Sequence, residues 1–369
     1  MPLQSTNFAG VLEELSIVDL SRGFAGAFCG HALAQLGAKV QAVRSVDTDL
    51  YSEEKERMVA LDRCKAVQSF DCYDPENLER VAELCRGAAM VIEERPYAGW
   101  PAHQPIAAKI LAAEPDLTAI CISPFGLSGP HAHYAAAPLN TYHSAGHAQQ
   151  IPCDSLWPEY KTRPPVQAGG YWGESQAGLL AAVAALAIVT GNGNWKGHII
   201  DCSKQEALLQ MHWTELVKYP NSGRLIDRLE PSITFVGGVL PSSDGFVQVV
   251  ALEQHQWEGL VKLLGEPEWM TSEDYESQKM RVAQWEKVTK LLAQETAKHT
   301  RQMLFTEGQA LGVPIAPIMS IAELKVDKEL SRRGVFDNAS ELSPSAPRWD
   351  NSVFSYEGLE RGPSKKGIK

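Results

Sequence analysis

Positive charge is scarce in this chain of 369 residues: 34 Lys and Arg stand against 45 Asp and Glu, for a formal net charge of −11. No Lys/Arg tract compensates locally, so nucleic acid and anionic membrane surfaces are excluded as expected partners. Paired cysteines are missing as well. The 7 cysteines, Cys29, Cys64, Cys72, Cys85, Cys121, Cys153 and Cys202, are scattered, odd in number and never spaced as CxxC. That spacing argues against a disulfide framework or a thiolate metal site, and for reduced thiols in a cytosol-like compartment. No cationic segment followed by an apolar run opens the sequence, so a secretory leader is not expected and the localisation reads as cytoplasmic. The longest apolar run, Leu179 to Val189, is far short of the ~20 residues that span a bilayer. A soluble protein without membrane partners is expected.

What is present is ordinary globular composition, with 44% hydrophobic and 21% charged residues, at a length that exceeds the ~250–300 residues at which single cores stop growing. Two domains are expected. The first third alternates short β-branched runs with helical patterns, as a doubly wound parallel sheet requires. Strands are expected at 16–20, 39–43, 66–70, 90–93 and 118–122, with helices at 28–36, 75–85 and 106–113 between them. In such sheets ligands bind beyond the carboxyl ends of the strands, near the switch in strand order. Gly23, Gly26 and Gly30 follow the first strand as GxxGxxxG, so the GxGxxG dinucleotide fingerprint is absent and NAD is not expected.

His131, His133, His143 and His147 lie close together. No Cys or acidic ligand cluster accompanies them, and loop histidines ordinarily face solvent or bond to backbone, so no metal is expected. The stretch 179–190 is apolar all round and reads as a buried helix. Just ahead of it a lone carboxylate, Glu174, stands between Gly173 and Ser175, where the free N–H groups and positive end of the helix hold an acid. As chemistry alone, Glu174 is either a capping acid or a reactive carboxylate. Beyond the expected helix 204–217 and a Gly/Pro-rich linker, 237–252 reads as a hairpin around a Ser-Asp-Gly turn. The tail ends in GPSKKGIK, and its last ten or so residues read as flexible.

Five blocks, in order, give the chain a resemblance. Leu15–Val43 (LSIVDLSRGFAGAFCGHALAQLGAKVQAV), Leu61–Asp71 (LDRCKAVQSFD), Met90–Pro96 (MVIEERP), Asp116–Pro130 (DLTAICISPFGLSGP) and Leu311–Leu324 (LGVPIAPIMSIAEL) resemble segments of the family III CoA-transferases. This is the CaiB/BaiF group that includes formyl-CoA transferase and the α-methylacyl-CoA racemases. The resemblance implies a discontinuous α/β large domain, Rossmann-like, over 1–222 and 320–369, and a smaller α+β domain over 232–312. Linkers are expected at 219–231 and 313–320, and two chains should interlock as a dimer. It implies coenzyme A or an acyl-CoA as substrate with a carboxylic acid as co-substrate. In many members the catalytic residue is an Asp in a G-D-x-x-x-G turn; here GESQAG places Glu174 there, so the position matches and the residue does not. The histidine of the racemase branch is missing, because Ala137 and Pro138 stand where its His and Asp would fall. CoA is a polyanion, and Arg44, Arg63, Lys65 and Arg95, near strand ends, are the cations expected to hold it, with Phe125 and Gly126 beside them. Gly237 and Gly238 are either the shortened counterpart of the family's mobile glycine loop or a plain strand-start pair. Three functions stay open: a transferase with Glu174 as nucleophile, a non-catalytic subunit of a heteromeric transferase, and CoA-thioester acid/base chemistry at Glu174.

Overall fold

Six of the β-branched runs pair into one parallel sheet. The computed structural model describes residues 11–45, 58–94, 105–151, 156, 158–191, 196–224, 228, 234–333 and 335. Its strands are β1 (Ser16–Asp19), β2 (Lys39–Arg44), β3 (Ala66–Ser69), β4 (Met90–Glu94), β5 (Thr118–Ser123) and β6 (Ile199–Ser203). They are ordered β3-β2-β1-β4-β5-β6, and every pairing is parallel. This is the doubly wound order, whose switch point lies between β1 and β4. The central strands are buried on both faces, which explains why SIVD, MVIEE and TAICIS read as near-continuous apolar runs rather than alternating ones. Ile17, Ile92, Ile120 and Ile122 meet α1 (Phe24–Gln35) and α5 (Trp172–Thr190) on one face. Val18, Val91, Ala119 and Cys121 meet α2 (Leu78–Cys85) and α3 (Ile106–Leu111) on the other. A short helix, α4 (Pro138–Ser144), lies within the His-rich stretch.

Helix boundaries depart from expectation in three places, each with a local cause. α1 begins at Phe24, four residues early, because small residues in its first turn let it lie against β4. The expected helix 204–217 breaks into α6 (Lys204–Leu209) and α7 (Trp213–Ser222) at His212, and α7 runs into the expected linker with Pro220 inside it. α5 is only half-buried. Its small residues Gly173, Ala177, Gly178, Ala181, Ala182 and Ala185 are buried, while Leu179, Val183 and Val189 are exposed on the opposite face. Of the described helices α5 alone is long and apolar enough to cross a membrane, with a mean hydropathy of 1.4. Yet it packs closely on α1: a Cβ on Gly178 would come within 2.4 Å of the Ala25 carbonyl oxygen.

A second sheet holds β7 (Val236–Ser242), β8 (Gly245–Ala251) and β9 (Ile315–Pro317) in that order, all antiparallel. Its own core joins Leu240, Val247 and Val249 to Trp257 and Leu260 of α8 (Gln254–Leu263), Val288 and Leu292 of α10 (Trp285–Thr296), and Leu304 of α11 (Arg301–Ala310), with α9 (Gln278–Ala283) between. The stretch expected as a linker at 313–320 is therefore corrected: Ile315–Pro317 is the third strand of this sheet. Of the two readings of Gly237 and Gly238, the strand-start pair fits: they are ladder residues opposite Val250 and Val249. Gly237 sits at φ +130° with a Cβ position 2.2 Å from the Val249 carbonyl oxygen, a close approach open to glycine alone. Leu324–Lys369 forms a separate unit. Its described part contains α12 (Lys328–Arg332), capped by the Asp327 side chain. Most of the tail, like Arg95, lies outside the described residues.

Candidate active site

Two adjacent glutamates end β4, and the pleat sends them to opposite faces of the sheet. Glu93 accepts from the backbone N–H groups of Ile106 and Ala107 at 3.2 and 2.8 Å, covering the N-terminus of α3. Glu94 does the same for α1, its Oε2 accepting from Gly26 N–H at 2.6 Å. The free N–H groups of a helix start are thus satisfied by carboxylates. A Cβ on Gly23 would meet Glu94 Oε1 at 2.2 Å, so that glycine makes the approach possible. In a dinucleotide-binding fold this first turn holds phosphate; here the Glu94 side chain fills it.

Glu94 leads directly to Glu174. Helix α5 starts at Trp172, so Glu174 lies within the first helical turn rather than ahead of it, and it is only 3% exposed. Lys204, the first residue of α6, lies between the two acids. Its Nζ is 2.5 Å from Glu174 Oε2 and 2.5 Å from Glu94 Oε1. Burial alone would drive Lys204 to shed its proton, but the facing charges of Glu174 and Glu94 outweigh it and raise its affinity for the proton. Glu94 moves up from the ordinary carboxylate range: burial pushes it there, Lys204 pulls it back, and the Glu174 charge pushes it up again. Glu94 Oε1 meets Lys204 as an ion pair without hydrogen-bond alignment. The cluster therefore sets two buried carboxyl groups against one ammonium.

A second buried cluster lies at the carboxyl end of β1. Asp19 is fully buried and accepts from Ser21 N–H at 3.0 Å and from the Ser21 hydroxyl. It also takes Arg44 Nη2 at 2.7 Å and Lys65 Nζ at 2.8 Å. Lys65 spends its remaining donors on Ala27 O at 2.8 Å and Asp62 Oδ1 at 2.9 Å. Arg44 spends its own on Asp62 through Nε and Nη2 and on the carbonyls of Asp19, Ser21 and Val43. Burial would push the Asp19 carboxyl up, but Arg44 and Lys65 overcome it and hold the group well below the usual range. Arg44 and Lys65 were expected as CoA-phosphate ligands. In this structure the donors of both side chains are instead bonded to Asp19, Asp62 or backbone carbonyls.

Residues 12–348 match CoA-transferase family III. The chain belongs to CoA-transferase family III. It is 26% identical over 343 residues to the succinate–glutarate CoA-transferase of Agrobacterium fabrum, covering 88% of this chain and 84% of that one. It is 25% identical to the succinyl-CoA–D-citramalate CoA-transferase of Chloroflexus aurantiacus, covering 87% and 82%. Among solved structures, a CaiB/BaiF family protein from Brucella suis is 25% identical and superposes with a TM-score of 0.75, covering 88% of both chains. This family III member is accordingly an enzyme that transfers CoA between an acyl-CoA and a carboxylic acid.

Of the remaining expected residues in the family III chain, Phe125 and Gly126 follow the carboxyl end of β5, and Arg63 precedes β3. Gly126, at φ +90°, follows β5 in a loop tied to β6, with Leu127 N–H donating to Asp201 Oδ2 at 2.9 Å. The Phe125 ring packs 6.0 Å from that of His131. Arg63 is exposed on the turn after a short helix at 58–62. His147 Nε2–H donates to the Leu208 carbonyl at 2.8 Å, and its ring lies tilted with its centroid 4.0 Å from that of His212. Among the described residues no group of three or more His, Cys, Asp or Glu is placed to hold a metal. Sequence reasoning missed Glu94, Lys204, Asp19 and Asp62. The signal was a charge at the end of each apolar strand: Asp19 after SIV, Glu94 after MVIE, and Lys204 directly after IIDCS.

Proposed function

We propose that Glu174 is the nucleophile of this transferase. The single observation that carries the reading is a carboxylate in the first turn of α5, at the family's catalytic position, buried and held by an ammonium from the neighbouring α6. Glu174 attacks the thioester carbonyl of the acyl-CoA; a C–O bond forms, the C–S bond breaks, and CoA leaves as thiolate with the electron pair. The thiolate attacks Cδ of Glu174 and the acyl carboxylate departs, leaving a glutamyl-CoA thioester. An acceptor carboxylate collects CoA by the reverse steps, so one poor exchange is divided into easier ones. CoA enters along the carboxyl edge of the sheet, near Arg63, Phe125 and Gly126. Succinate, glutarate and D-citramalate in the relatives' names support short dicarboxylic acids as substrates. Incubation with succinyl-CoA, digestion and mass spectrometry of the Glu174 peptide tests the reading. A CoA thioester on Glu174 is expected, and an active enzyme with no adduct at that residue would sink it.

The side-chain length at this position carries a second prediction. Asp in place of Glu174 withdraws the carboxylate by one methylene from a nitrogen now 2.5 Å away, and a displacement near 1 Å costs on the order of 10²-fold in rate. Glu174→Asp should fall by about that factor in kcat, read from initial rates. A variant as fast as the parent would mean that the pocket kept the shape suited to Asp.

The exposed face of α5, with Leu179, Val183 and Val189, supports the expected interlocked dimer, in which a second copy of this chain or a paralogous subunit covers that face. Light scattering should give a dimer at every concentration down to micromolar, because threaded chains separate only by unfolding. A stable monomer at that concentration would contradict it.

A further inference from the structure

The buried cluster around Glu174 holds more chemistry than a nucleophile needs. Glu94, Glu174 and Lys204 are 0%, 3% and 4% exposed, in a region whose neighbours are Ala25, Ala177 and Ala181 of the apolar core. Two ionised carboxyls against one ammonium would leave a net negative charge there, and an uncompensated buried charge is strongly disfavoured. One carboxyl must carry a proton. Lys204 Nζ aligns as a hydrogen-bond donor to Glu174 Oε2, while Glu94 Oε1 has no aligned donor and burial pushes Glu94 toward its neutral form.

Resting on the reading of Glu174 as nucleophile, we propose that Lys204 is a further catalytic residue, donating to the acyl oxygen of Glu174 throughout the cycle, and that Glu94 releases and regains the proton that keeps the cluster neutral.

The balance can be followed atom by atom. When Glu174 becomes a CoA thioester, its negative charge leaves with the departing acyl carboxylate. The cluster then holds Lys204 as ammonium beside two neutral carbonyl groups unless Glu94 ionises. Glu94 gives its proton to water and, now ionised, becomes the charge partner of Lys204. Lys204 now donates to the thioester carbonyl oxygen, the atom on which charge develops when CoA thiolate or an acceptor carboxylate attacks. A donor already fixed at that oxygen lowers the barrier in both directions. When CoA departs to the acceptor, Glu174 is again a carboxylate and Glu94 takes a proton back from water. The upward push that burial and the Glu174 charge exert on Glu94 is thus present in the resting enzyme and relieved in the thioester. Other polar and titratable groups face Glu94 from the packed elements. Gly26 N–H of α1 binds Oε2, Arg22 N–H and the Tyr73 hydroxyl reach its backbone carbonyl, and the thiol of Cys29 on α1 senses its charge. Glu93 points to the other face of the sheet, and none of these replaces Lys204 or Glu174 as a charge partner.

Two measurements on the full-length enzyme test this. In single turnover with an acyl-CoA in weak buffer, at a pH above the titration range of the released acid, an indicator dye should report one proton released per glutamyl-CoA formed. Glu94→Gln should release none. In steady state, Lys204→Met should lower kcat by about 10²–10³-fold, as for loss of an oxyanion donor, with little change in KM for the acyl-CoA, and Lys204→Arg should recover part of the loss. If the parent forms the thioester with no proton release, or if Lys204→Met forms and discharges it at the parent rate, this proposal fails while the nucleophile reading stands. If the parent forms no thioester on Glu174, both fail. Should Lys204→Met not fold, the proton count in Glu94→Gln decides alone: release equal to the parent's overturns the proposal.

Discussion

Glu174→Gln should lose CoA transfer by at least ~10³-fold, the scale on which removal of a covalent nucleophile acts, while its dissociation constant for CoA stays close to the parent's. The amide keeps the length and shape of the side chain and loses the oxygen that attacks. Folding should survive, because Glu94 can ionise when Glu174 no longer carries charge, and Lys204 then keeps one full ion pair at the 2.5 Å contact. Initial rates with an acyl-CoA and an acid, set beside calorimetric binding of CoA, separate the two effects. A Gln variant with parental rates would reduce Glu174 to a helix-capping acid, and the transferase chemistry would have to reside elsewhere in the fold.

The fold was legible wherever hydrophobic patterning decided it. Parallel strands buried on both faces leave unbroken apolar runs, and all five strands expected in the first third are present within a residue or two of their expected ends. Of the proposed site, only Glu174 stands out in the sequence, as a lone carboxylate between Gly173 and Ser175 at the position of the family's Asp. Its partners were not legible. Lys204 and Glu94 stand 30 and 80 residues from Glu174, and nothing local in IIDCSK or MVIEE says that their charges converge. That follows only from the strand order, which puts the carboxyl ends of β4 and β6 on one side of α5. The expected cations show the converse limit. Arg44 and Lys65 lie at a strand end and beside one, as phosphate ligands would, but the acids that claim them, Asp19 and Asp62, become visible only once β1 and β2 are paired. Gly237 and Gly238 were open in the sequence between a mobile-loop counterpart and a strand-start pair. Tertiary packing decided for the strand, with the Val249 carbonyl requiring the missing Cβ at Gly237.

Asp19→Ala should destabilise the protein by about 3–5 kcal/mol, the cost of stripping one partner from a buried ionic network. The Ala variant leaves Lys65, whose side chain is fully buried, and Arg44, only 14% exposed, with Asp62 as their one remaining carboxylate. Two cations then share one acid, and the Ser21 N–H and hydroxyl lose their acceptor. Urea unfolding followed by circular dichroism gives the change directly. The pH dependence has a defined sign. Asp19 is held below its unfolded value, so its contribution is complete above about pH 4, the unfolded carboxyl range, and is lost as pH falls toward the folded value. Glu94 acts oppositely, since its raised value favours the folded state in acid and that contribution declines as pH rises. Asp19→Asn should therefore flatten the acid limb of the stability profile below about pH 4 and leave the trend above it to Glu94. A loss under ~1 kcal/mol would place the network in the range of exposed ion pairs. Arg44 and Lys65 would then be held loosely enough to leave Asp19, and they would return as candidates for the phosphates of CoA.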